Sequence, residues 1–310
     1  MSAAAPANLH IEFALLGLLA CLWGSSYLLI KAALASIPPM TLMAARVTLA
    51  AVFLLLVMRV RREYLPSDAR SWRNLFVQSL LNSSVAWLVL AWGAQYVPSG
   101  MAGVLNSTSP LFVFLLTVIS SKATSTTTRS LPKIAGAVLG FVGVLLVVGV
   151  ESLRGLGQQT LAQAAVLFGA FLYACAAMSG KRLAHLSPLA TATGTMLWAA
   201  VSLVPLSLAF EQPWTLRPSG ASLWAAATLA ILCTGIALII YFRLIKTLGA
   251  MGVASQSYLR AGVSVLLGLI VLGEQLSATM LMGLIVTIVG VALINWPFAR
   301  KPSGAVHERA

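Results

Sequence analysis

The 310-residue chain predicts an all-α membrane protein: ten transmembrane helices as two inverted five-helix repeats around a central cavity. Three observations carry this. Apolar residues make up 59% of the chain and charged ones 9%, with a mean hydropathy of +0.94, which is more apolar surface than a water-soluble domain can bury. Ten windows of roughly 18 to 22 apolar residues recur, each near the ~20 that cross ~30 Å of hydrocarbon as a helix. Basic residues crowd into alternate connections, as they do when successive spans run in opposite directions.

The first span, 11–34, follows ten residues with no basic start, and no small-residue cleavage site ends it, so it reads as a retained helix and not as a signal peptide. Trp23 and Tyr27, four apart, share a face with Lys31 at the outer end. Trp23 lies too deep for an interfacial belt; cargo contact and helix packing both stay open for it, and Lys31 fits a snorkelling side chain. Span two, 40–59, carries Arg46. Span three, 73–94, holds Gln78, Asn82, Ser83, Ser84 and Trp87, a polar density that must face protein or water. Span four, 99–120, sets Gly103, Asn106, Ser107 and Pro110 along one stripe, where Pro110 frees a carbonyl near Asn106. Interhelical hydrogen bonding is the alternative role for Asn82 and Asn106. Span five, 132–150, and span ten, 278–297, carry Gly136, Gly140 and Gly143 and Gly283 and Gly290, assigned to packing. Spans six to eight are 163–183, with Tyr173, then 189–210 and 221–244. In span nine, 251–272, Ser257, Arg260, Ala261 and Ser264 share a face with Gln256 and Tyr258 beside it. Arg260 falls about eight residues in, ~12 Å along the axis, with no acid at matching depth.

The two halves follow one plan. Trp23 falls on Tyr173, Lys31 on Lys181 and Pro38 on Pro188 at an offset of 150, and Val104–Leu111 falls on Ser255–Gly262 at 151. Gly136 and Gly143 match Gly283 and Gly290 after a four-residue deletion. Residues 1–150 and 151–310 thus form the two repeats, each of five spans, and the odd number makes the second enter the membrane from the opposite side. Such inversion relates outward-open and inward-open states by symmetry and sets the substrate site near the midplane where the halves meet.

The net charge of +13 is an orientation signal and not a nucleic-acid footprint. Fifteen of the 20 basic residues lie in connections of one side or in the tail, from Arg59 to Arg309, against Lys31, Arg154 and Arg217 on the other. Both termini are therefore expected in the cytoplasm. Cys21, Cys175 and Cys233 lie within spans and offer no disulfide framework or zinc spacing, and His10, His185 and His307 lie at ends or in a loop, so no metal or cofactor is expected.

Trp23-Gly24, Lys31, Pro38 and Arg46, the Asn106-x-x-x-Pro110 helix after Ser99-Gly100, and the GxxGxxL-like fifth and tenth spans resemble the ten-helix drug/metabolite transporter superfamily with paired EamA-type domains. Within it the chain resembles the YddG-type exporters of aromatic and other neutral amino acids. The resemblance implies a central cavity lined by spans one, three, four, six, eight and nine, with five and ten peripheral. The second copy departs, with Tyr173-Ala174 for Trp-Gly and Met196 opposite Arg46.

The expected function is export of a small organic solute, foremost amino acids, by alternating access in a bacterial inner membrane. Substrate-binding candidates are Trp23, Tyr27, Gln78, Asn82, Ser83, Trp87, Asn106, Ser107, Tyr173, Gln256, Ser257, Tyr258 and Arg260. Expected partners are that solute and the lipid bilayer, with no nucleic acid, in a monomer or homodimer. Glu12 sits at the inner edge of span one and Glu274 at the outer end of span nine, so no buried carboxylate is expected to carry a proton, which argues against proton-driven export of cationic drugs. A carrier of phosphorylated or sugar-linked metabolites would want two or more cavity cations, and Arg260 alone is clearly available. An intramembrane enzyme would need an HExxH helix, paired acids or a Ser/His arrangement within the spans, and the sequence has none.

Overall fold

Prolines and short polar caps set where the helices begin. The computed structural model describes residues 9–120, 131–148, 158–254, 256–275 and 277–295. Helix α1 spans Leu9–Ala33, and α2 spans Pro39–Arg61 with a proline in its first turn, where the missing amide removes no helical bond. Asp68 accepts from the Ser71 amide at 2.7 Å and starts α3 at Ala69, four residues before the predicted span. Helix α3 runs Ala69–Ser79, passes through a π-helical turn at Leu80–Ser84 and continues over Val85–Ala94. Helix α4 is in two pieces, Ser99–Asn106 and Ser109–Ser120. Then come α5 (Leu131–Val148), α6 (Gln158–Ser179, ending in a 3-10 turn at Gly180–Leu183) and α7 (Pro188–Phe210). Helix α8 comprises Gly220–Ala230, a π-helical turn at Ile231–Ile236 and Ala237–Ala254. Helices α9 (Gln256–Leu272) and α10 (Ala278–Asn295) complete the ten.

Among the described residues, seven helices are long and apolar enough to cross a membrane, and α5, α9 and α10 contribute the shorter apolar stretches Ile134–Leu146, Leu259–Leu272 and Ala278–Gly290. Large apolar side chains face outward, Phe13, Leu56, Phe141, Val201, Trp224 and Ile270 among them, which suits a surface solvated by lipid. The chain is a multi-pass membrane protein.

Packing obeys the two-fold relation that the repeat implies. Helix α5 packs on α10, α2 on α7 and α4 on α9; α1 packs on α8 and α9, and its counterpart α6 on α3 and α4. Exchanging each helix with its partner five places on leaves that set of contacts unchanged. The π turns obey it too: Leu80 and Ile231 start them at the 151-residue offset. The glycines of α5 and α10 let the two backbones meet, since a Cβ on Gly290 would lie 2.3 Å from the Gly140 nitrogen and 2.6 Å from the Gly136 oxygen.

Two expectations are corrected. Residues 251–254 continue α8, and α9 starts at Gln256, so Arg260 stands five residues into its helix and not eight. Its depth is fixed instead by its neighbour on α4. Helix α4, expected as one span, breaks at Ser107–Thr108, where Pro110 has no amide to return to Asn106.

Candidate functional site

The break in α4 leaves the Asn106 carbonyl without a helical donor, and two side chains supply one. Ser109 Oγ donates to it at 3.0 Å and Arg260 Nη2, from α9, at 3.5 Å. Positions 109 and 260 are equivalent at the 151-residue offset, so both repeats reach the same oxygen. The Asn106 side chain points to α1, where Nδ2 donates to the Tyr27 hydroxyl. Asn106 is 2% exposed, and its Oδ1 is buried without a partner. So are Arg260 Nε and Oε1 of Gln256, one turn back on α9.

A second arginine completes the cluster. Arg46 of α2 is 6% exposed, its guanidinium carbon lies 3.7 Å from the Trp87 ring centroid, and Nε donates to Thr234 Oγ1 at 2.9 Å. Thr234 belongs to the π turn of α8 and donates to the Leu229 carbonyl five residues back, so the wider turn aims its oxygen at Arg46. Tyr173 of α6 lies within electrostatic reach of Tyr27, Arg46 and Arg260, with the Trp87 indole beside its hydroxyl. Counted at ~1.5 Å per residue from the helix ends of one face, Tyr27, Arg46, Trp87 and Asn106 sit about 9 to 11 Å down and Arg260 about 18 Å. The two arginines therefore occupy the middle third of the ~30 Å span. Among the described residues the ion pairs involve neither of them.

The structure thus brings together Tyr27, Trp87, Asn106, Tyr173 and Arg260 of the sequence candidates, with Gln256 one turn from Arg260. The others part from them. Trp23 stacks at a tilt on Tyr241, ring centroids 5.2 Å apart, at the seam of α1 and α8. Gln78 accepts from Ser179 Oγ at 2.9 Å, which ties α3 to α6. Asn82 Nδ2 donates to Ser83 Oγ at 3.3 Å inside the π turn, and Ser107 Oγ returns to the Gly103 carbonyl at 2.7 Å. The side chains of Ser257 and Tyr258 lie outside the described residues.

Sequence reasoning counted Arg260 as the available cavity cation and missed Arg46 as a member of the site. The signal was present: Arg46 is an arginine inside an apolar span with no acid at matching depth, the same argument that singled out Arg260. Thr234 had no such signal. Lys31, expected to snorkel, instead pairs with Glu274 at 3.0 Å and donates to the Val97 carbonyl at 3.3 Å. Glu274 also accepts from the Ser99 amide (2.7 Å) and hydroxyl (3.0 Å) and the Gly100 amide (3.2 Å), so it caps α4 and joins α1, α4 and α9 at one face. At the opposite face Glu12, expected at the inner edge of span one, is buried there, 1% exposed, and accepts from Arg243 (2.8 Å) and Thr247 (2.8 Å), joining α1 to α8.

Fold and site define a membrane transporter built from two inverted five-helix halves. The EamA-like transporter family model matches residues 12–149 and again 160–296, so the chain belongs to that family, in the drug/metabolite transporter superfamily, with two EamA domains. It is a transporter and not an enzyme. It is 24% identical to the uncharacterized transporter YoaV of Bacillus subtilis, over 90% of this chain and 95% of that one. It is 29% identical to the uncharacterized inner membrane transporter YedA of Escherichia coli, over 91% of this chain and 90% of the relative. A solved crystal structure at 18% identity, covering 90% of this chain and 94% of its own, superposes with a TM-score of 0.66, which shows the fold alone.

Proposed function

We propose that the protein exports small organic solutes, aromatic and other neutral amino acids foremost, across a bacterial inner membrane by alternating access between repeats 1–150 and 151–310, with both termini cytoplasmic. The observation that carries the reading is the set of unpartnered groups at the α4–α9 contact. Arg260 Nε is a free donor, while Asn106 Oδ1 and Gln256 Oε1 are free acceptors, all buried. A zwitterion answers both kinds at once: its carboxylate accepts from the guanidinium, and its ammonium donates to the amide oxygens. Trp87, Tyr27 and Tyr173 supply apolar and π surface for an aromatic or aliphatic side chain. The likeness to YddG-type exporters agrees with this chemistry.

The test is counterflow in proteoliposomes with labelled phenylalanine and its amide. Arg260→Gln should cut phenylalanine exchange at least tenfold and leave the amide near its wild-type rate; equal losses in folded protein would sink the carboxylate reading. Exchange should need no imposed pH gradient, and accumulation of solute driven by such a gradient alone would overturn the facilitative mode. A second reading, a phosphorylated metabolite as cargo, is favoured by one observation, the second buried cation Arg46. Stronger competition by a sugar phosphate than by amino acids would select it.

A further inference from the structure

Away from the central cluster, two cavities meet at the basic face around the start of α3. One, of about 720 Å³, is lined by Arg70, Arg73 and Arg182 with His185, Asn74, Ser71 and Asp68. The other, an open groove of about 600 Å³, is lined by Trp72, Phe76 and Trp198 and shares Arg73 with the first. The basic one is held open by polar links: His185 Nε2 and Ser71 Oγ lie 2.9 Å apart, joining the α6–α7 connection to α3, and Asp68 is turned to the Ser71 amide at 2.7 Å. Among the described residues the ion pairs are Lys31–Glu274 and Arg243–Glu12, so the three guanidiniums have no carboxylate partner. The aromatic wall is equally fixed. Trp72 Nε1 donates to the Pro66 carbonyl at 2.9 Å and Trp198 Nε1 to the Trp72 carbonyl at 3.1 Å, while Phe76 meets Trp198 edge-on at 5.0 Å between centroids. Trp72 stands in the first turn of α3 beside the basic residues Arg70 and Arg73, at the membrane edge where indoles are enriched.

A cationic pocket that runs into an aromatic one at that level has the shape and charge of an amphiphile with an anionic head. We propose that it holds an anionic phospholipid, with the phosphate against Arg70, Arg73 and Arg182 and the first methylenes of the acyl chains on Trp72, Phe76 and Trp198. The apolar cavity is what commits the site to a lipid, since a soluble phosphate ester would have no use for it. Orientation of the helices also calls for basic residues here, but Arg59, Arg61 and Arg62 at the end of α2 serve that need without lining either cavity.

The experiment uses the full chain purified in detergent, with bound lipid read by native mass spectrometry. Phosphatidylglycerol should be retained in preference to phosphatidylcholine of the same chains, by about fivefold for each guanidinium and on the order of 100-fold for three. Arg182→Gln alone should lower that preference about fivefold, and the triple glutamine variant of Arg70, Arg73 and Arg182 should abolish it. Phe76→Ala should weaken retention of both lipids. Equal retention of the two lipids, or an unchanged preference in Arg182→Gln, would overturn the proposal and leave the arginines as orientation charges. Thermal stabilisation by glycerol 3-phosphate or inorganic phosphate equal to that by phosphatidylglycerol would assign the site to a soluble phosphate and overturn the lipid.

Discussion

Replacing Glu274 by glutamine removes one charge and leaves the shape, and the structure says what that should do. The carboxylate accepts from two amides, one hydroxyl and one ammonium, at 2.7 to 3.2 Å. Burial pushes its pKa up, but the Ser99 and Gly100 amides and the Lys31 ammonium outweigh that and hold it below the usual carboxylate range. Glutamine keeps one acceptor oxygen and turns an NH2 toward donors. It therefore forfeits at least one charge-assisted bond, worth about 1.5 to 3 kcal/mol, and the Lys31 pair, half-open to solvent and worth about 1 kcal/mol or less. A net loss of about 2 to 3 kcal/mol moves the equilibrium between the joined and parted forms of this face about 30- to 140-fold. Val97, 1% exposed beneath the Lys31 ammonium, reports that opening when replaced by cysteine in a chain whose three native cysteines are serine. Its reaction with a charged maleimide should accelerate by that factor in Glu274→Gln. Because the folded pKa is lowered, the carboxylate's contribution is fully present above the ordinary value of about 4.3 and is lost as pH falls through the folded one, so the ratio of the two rates should stay flat between about pH 6 and 8. An unchanged rate in a folded variant would refute the argument that Glu274 closes this face.

Three further outcomes are expected. A cysteine at Gln212 should react with an impermeant reagent from outside the cell and one at Ser67 should not; the reverse pattern would invert the topology. Gly290→Ala should lower the thermal midpoint sharply, since its Cβ would meet backbone atoms of α5 that cannot swing aside, and overpacking in a tight core costs about 1 to 3 kcal/mol or more; a midpoint within a degree or two of wild type would show that α5 and α10 can part. Arg46→Met installs the residue that the second repeat carries at the equivalent position, Met196. It removes the buried charge and leaves Thr234 Oγ1 without its donor, so folding should survive while phenylalanine counterflow falls at least tenfold. Wild-type exchange in Arg46→Met would make Arg46 a packing residue.

The helices were legible because hydrocarbon thickness fixes their length, and the freed carbonyl at Asn106 was legible because Pro110 forbids one hydrogen bond at a known distance along the chain; that α4 would break there into two pieces was not. The π turns were not. A π turn forms where packing against other helices favours an extra residue per turn, and nothing in Leu80–Ser84 or Ile231–Ile236 announces that preference locally. The join of α8 and α9 was misplaced because residues 251–254 are an apolar stretch between Lys246-Thr247 and Ser255-Gln256-Ser257, and hydropathy alone does not say which of the two helices such a stretch continues. Lys31 shows the same limit at the level of a side chain. Its position at the end of α1 fits a snorkelling lysine, and its partner Glu274 is 243 residues away.

The scaffold is two-fold symmetric, but its charges are not. Arg46 faces the register of Met196, Arg260 that of Ser109, and neither Glu274 nor Glu12 has an acid at its repeat equivalent, Ala123 and Ala162. The symmetric part makes the two end states of the proposed cycle nearly equal in packing, so the difference between them is left to the groups that break symmetry. Among the described residues the two acids of that set form one ion pair at each face, Lys31–Glu274 between α1 and α9 and Arg243–Glu12 between α1 and α8, and the structure holds both at once. Helix α1 is the member common to both. Opening either face away from α1 must break one pair while the other holds, so weakening Lys31–Glu274 alone biases the cycle toward opening at that face, and weakening Arg243–Glu12 biases it toward the other.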